Sequence, residues 1–71
     1  MMKSDCRYPH LSVRISDLKG VSNIGAMERV TVRMRDDGVP PRTIAQYQMK
    51  IRAVTDFDQI VEESGHWVEI L

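Results

Sequence analysis

Cysteine occurs once in this chain, at Cys6. A single thiol cannot close an internal disulfide, and it cannot assemble a thiolate zinc site, which needs several Cys or His ligands. Its plain reading is a reduced thiol in a cytoplasmic protein. Long hydrophobic runs are missing too: nothing approaches the roughly 18 apolar residues of a membrane span. The opening residues, MMKSDCRYPH, contain no hydrophobic signal core. No membrane partner is expected. Histidine is scarce, and His10 and His66 stand far apart without neighbouring ligands. No phosphate-binding glycine loop and no nucleophile motif occurs. Gly20 and Gly25 sit in DLKGVSNIGAM, but not at the Gly-x-Gly spacing of a loop that grips phosphate through backbone amides. The adjacent acids Asp36-Asp37 and Glu62-Glu63 are accounted for by a turn and by a solvated helix face. These absences argue for a non-enzymatic protein with no catalytic residues, no metal and no cofactor.

What is present is a balanced but uneven charge. Ten basic and ten acidic residues cancel over the 71 residues. Residues 1–35 hold seven basic against three acidic residues, a net +4. Residues 36–71 hold three against seven, a net −4. Such a split can mark a surface for nucleic acid or for an acidic partner. The length allows one domain. Residues 1–9 are polar and aperiodic and read as a flexible N-terminal arm, which leaves 10–71 as the domain. A domain this small buries little surface and gains from a partner, so a homodimer is among its expected states.

Hydrophobic periodicity suggests an α+β fold. Leu11, Val13 and Ile15 alternate with polar residues, as in a half-buried strand. In RVTVRMR, Val30, Val32 and Met34 alternate with Arg29, Thr31, Arg33 and Arg35. Asp36-Asp37-Gly38 would end that strand. From Ala45 to Ala53 every second residue is apolar again, while a helix over the same residues would put Gln48 inside the apolar stripe and Met49 outside it. Asp56 and Gln59 can form a capping box ahead of a helix whose inward face is Phe57, Ile60 and Val61, with Gly65 as its stop. HWVEIL then extends as a last strand, beside the first or the third. The expected order is β-β-β-α-β: a three-stranded antiparallel meander, one helix packed on one face, and a short C-terminal strand. Val32 and Ile51 should be buried under Phe57 and Ile60.

Folding those strands together places the polar positions on one solvated sheet face. The candidate nucleic-acid-binding residues there are Arg14, Arg29, Arg33, Arg35, Gln48, Lys50 and Arg52. Arginine, lysine and glutamine contact phosphates and base edges. No aromatic side chain joins them, which disfavours base stacking and favours duplex DNA. The expected function is a small nucleic-acid-binding module with a regulatory role. The alternative is a small protein-binding module or inhibitor, docking on an acidic protein surface by the same face or by a sheet edge. A second architecture stays open. Gly38-Val39 followed by Thr43-Ile44 and Tyr47 resembles the turn and recognition helix of a helix-turn-helix motif, which would put Arg42, Thr43 and Gln46 at the groove. Against it, the preceding helix would have to be RVTVRMRDD, with Arg33 and Asp37 where apolar residues usually pack.

Overall fold

The computed structural model describes residues 6–71. Its elements are β1 (Tyr8–Val13), α1 (Ile15–Leu18), α2 (Asn23–Asp36), α3 (Pro41–Arg52), α4 (Phe57–Gly65) and β2 (Val68–Ile70). The expected antiparallel meander is absent. In its place, among the described residues, are four helices and one two-stranded parallel sheet of β1 and β2. The segment expected as a second strand, 29–35, lies in α2, and the one expected as a third strand lies in α3. Of the expected arm, residues 1–5 lie outside the described residues, whereas Tyr8 and Pro9 belong to β1.

The physical reason is visible in what each helix buries. In α2 the buried residues are Ala26, Met27, Val30, Thr31 and Met34, a stripe with helical spacing. Two of the three apolar residues that suggested a strand, Val30 and Met34, belong to that stripe. The third, Val32, is 42% exposed and does not join Ile51 in the core. β-Branched Val30, Thr31 and Val32 have modest helix propensity, but propensity is a weak prior and burial overrides it. In α3 the buried residues are Ile44, Tyr47 and Ile51. Gln48, the residue that argued against a helix, is half-buried and donates from Nε2 to Thr31 Oγ1 at 3.2 Å. A polar side chain is tolerated in a helix seam when it has a partner, and this one has.

Local signals set the helix ends. Ser22 caps α2, its Oγ accepting from the Gly25 amide at 3.2 Å. Gly25 also lets α2 start close to Val21, whose Cβ would lie 3.0 Å from a Cβ added there. Gly38 takes φ +87° and reverses the chain between α2 and α3. Pro41 opens α3, a position where its missing amide hydrogen costs nothing. Asn23 ties the start of α2 to the end of α3, donating from Nδ2 to the carbonyls of Val54 (3.0 Å) and Ile51 (3.4 Å). The helix from Phe57 and the strand after His66 occur about where the sequence placed them. The Asp56 side chain, however, makes no capping bond, and Gly65 is the last helical residue rather than a left-handed stop.

The helical body acts as the long crossover that parallel strands require. β1 and β2 pair Tyr8 with Val68 and Val13 with Ile70. The pairing is extended by backbone bonds from Arg7 N to His66 O and from Leu71 N to Val13 O, both 2.9 Å. The final strand thus returns beside the first. Ile15, expected to point inward from that first strand, sits instead in α1 and is exposed. The core collects Val13, Leu18 and Val68 from the sheet side with Val30, Met34, Ile44, Tyr47, Ile51, Ile60 and Trp67 from the helical side and its flank.

Candidate nucleic-acid interface

The outer side of α3 is uniform in its chemistry. From Gly38 to Thr55 there is no acidic residue. With Ile44, Tyr47 and Ile51 facing inward, Arg42, Gln46 and Lys50 fall four residues apart on one exposed row, beside Ala45, Met49 and Ala53. Thr43 flanks the row and is half-buried. Met49 is 71% exposed, the most exposed large hydrophobic side chain among the described residues. The small residues Ala45 and Ala53 leave the helix surface low, so a partner can come close to its backbone.

Arg7, from the segment leading into β1, extends this surface. Its guanidinium lies 4.5 Å from the centre of the Trp67 ring, an arrangement in which the ring quadrupole attracts the cation. Trp67 is itself held edge-on against Tyr47, ring centres 5.7 Å apart, and donates from Nε1 to Glu63 at 3.3 Å. Arg7, Gln46, Met49, Lys50, Ala53 and Trp67 together line a shallow open depression along α3. Glu63 lies at its margin, on a neighbouring depression with Lys50 and His66.

The seven residues expected on one sheet face are divided among several surfaces. Arg14 follows β1 and lies with Arg29 and Arg33 of α2 on a groove that also carries Asp17, Glu28 and Asp36. Arg35 is on α2 and Arg52 near the end of α3, both exposed. Gln48 is committed to Thr31. Lys50 is the member that lies on the exposed row of α3. The arrangement also brings in Arg42, Thr43 and Gln46, which the helix-turn-helix alternative had singled out, and Arg7 and Met49, which neither reading had. The acid-free run 38–55 was a signal for this face. Arg7 had none, because its place depends on Trp67, sixty positions later.

His10 Nε2 lies 2.9 Å from Asp37 Oδ2, joining β1 to the turn after α2. No helix is long and apolar enough, among the described residues, to cross a membrane. Compared with models of known families, with curated proteins and with solved structures, the chain matches none.

Proposed function

We propose that this chain binds duplex nucleic acid, DNA in the first place, through the outer face of α3. One observation carries the reading: an acid-free helix, exposed along Arg42, Gln46 and Lys50, follows another helix across a four-residue turn at Gly38. That is the order of a helix-turn-helix, in which the second helix enters the major groove. Arg42, Lys50, Arg52 and Arg7 supply phosphate contacts, which give affinity and orientation. Thr43 and Gln46 reach base edges, Gln46 toward adenine, and Met49 offers an apolar contact to a thymine methyl. A regulatory role in the cytoplasm follows from this reading, with Cys6 kept reduced there.

The test is fluorescence anisotropy on labelled duplex across a salt series. Wild-type protein should bind at ~50 mM salt, and Arg42→Ala with Lys50→Ala should flatten the plot of log affinity against log salt by about two units. Absence of duplex binding at that salt would refute the assignment. The second reading, an acidic protein partner, draws on the exposed Met49 beside Ala53 and Trp67. Under it, duplex binding is absent while Met49→Ala and Lys50→Ala weaken capture of an acidic amphipathic peptide.

A further inference from the structure

We infer that the outer face of α2 is a self-complementary surface that joins two copies of this chain about a two-fold axis. The face is built around Val32, which is 42% exposed, and it opens on a groove with an apolar side of Val13 and Leu71, the latter 63% exposed. Around Val32 stand Glu28, Arg29, Arg35 and Asp36, all exposed. The contact between His10 and Asp37 uses none of these four charges. An exposed apolar centre ringed by uncommitted charges of both signs is a surface lacking its partner.

Helical geometry identifies that partner. With about 100° per residue, Arg29 and Asp36 fall on one flank of Val32, and Glu28 and Arg35 fall on the other. When two helices pack antiparallel about a two-fold axis, each flank meets the same flank of its mate. Arg29 is three residues before Val32 and Asp36 four after it. A dyad at Val32 therefore sets Arg29 of one copy beside Asp36 of the other, within one residue's rise of about 1.5 Å. By the same count Glu28 meets Arg35. Four opposite-charge contacts form around a Val32–Val32 centre, and none of the four is between like charges. A parallel packing would instead set Arg29 beside Glu28 of the mate and Arg35 beside Asp36. R29D and D36R would not compensate each other there, so the double variant distinguishes the two arrangements. Other partners fit less well. Nucleic acid would meet Asp17, Glu28 and Asp36 on this groove, and a partner of one charge sign would satisfy only half of the ring.

The inference is independent of the nucleic-acid reading, because it concerns a different helix and needs no ligand. Sedimentation equilibrium of the full chain measures it. Wild-type protein should dimerise, and Arg29→Asp should weaken dimerisation about tenfold, since two attractive contacts become repulsive. Asp36→Arg alone should do the same. The double variant R29D/D36R should recover the wild-type constant, because both contacts are then restored with reversed sign. Circular dichroism should be unchanged in all three, as neither side chain has an ion-pair partner within the described chain. A wild-type protein that is monomeric at every concentration overturns the proposal. So does a dimer indifferent to R29D, or a double variant no better than the singles. Should a charge variant fail to fold, Val32→Lys gives the same reading: a folded monomer supports the surface, and an intact dimer overturns it.

Discussion

Replacing Tyr47 by Phe removes one oxygen atom from the centre of the molecule. Tyr47 is fully buried, as is Ser64, and the phenol lies 2.9 Å from Ser64 Oγ. This bond joins α3 to α4 where no water can substitute. Tyr47→Phe leaves the Ser64 hydroxyl short of its partner, and Ser64→Ala leaves the phenol so. Each should cost about 1–3 kcal/mol, the usual penalty for a buried unsatisfied group. The double variant should cost clearly less than the two singles added, giving a coupling of about 1 kcal/mol. Alkaline pH supplies a second measure. Burial pushes the Tyr47 phenol from its ordinary 10 up to about 12, with the Ser64 bond offsetting part of the rise and the charge of Glu63 adding to it. The folded state therefore keeps its proton where the unfolded state loses it. The contribution is full below pH 10 and is lost as pH rises through about 12. At about 1.4 kcal/mol per pH unit, the loss across that window is about 3 kcal/mol. Urea titrations from pH 9 to 12, fitted for wild type and Tyr47→Phe with a common slope, read both quantities. The difference between the two proteins should shrink as pH rises. A Tyr47→Phe protein as stable as wild type and with the same alkaline slope would refute the reasoning.

Two further perturbations test the helical core and its turn. Ile51 is fully buried on the inner face of α3, so Ile51→Ala should cost about 2–5 kcal/mol and lower the thermal midpoint sharply; an unchanged midpoint would place Ile51 outside the core. Gly38→Ala should cost about 1–2 kcal/mol in a urea titration, because Gly38 holds φ +87° with open space around it and the penalty is backbone strain alone.

Part of the fold was legible. The helix from Phe57 and the final strand lie near where the sequence placed them, although Asp56 stands at the N-cap without a side-chain bond and the extended run begins only at Val68. The same holds for much of the first strand, where Val13 is buried and Leu11 half-buried. Between them, periodicity misled. Val30, Val32 and Met34 alternate as in a strand, yet two of them also satisfy a helix. The residue that breaks the helical pattern, Val32, is exposed at the centre of the α2 face. An apolar residue outside a core stripe biases a periodicity count toward the wrong element. Met49 acts the same way on α3. The candidate site followed the fold. Its charges were visible, but their grouping depended on whether successive residues alternate between faces or rotate about an axis.

The deciding contact was between the two misread segments. Gln48 counted against a helix because it fell inside the apolar stripe, and Thr31 was assigned to the wet side of a strand. In the folded protein they are each other's partners, at 3.2 Å across the seam of α2 and α3. Each breaks its own helix's pattern when the helix is taken alone. Paired, they satisfy the rule that a buried polar group needs a hydrogen bond, and both helices become regular. The anomaly was therefore a property of two segments together, seventeen residues apart. A window centred on either one weighs the polar residue as an error without weighing the partner that removes the cost. That single pair also bears on which surfaces are exposed. It joins the inner sides of α2 and α3, while the row Arg42–Gln46–Lys50 and the Val32 face both stay exposed.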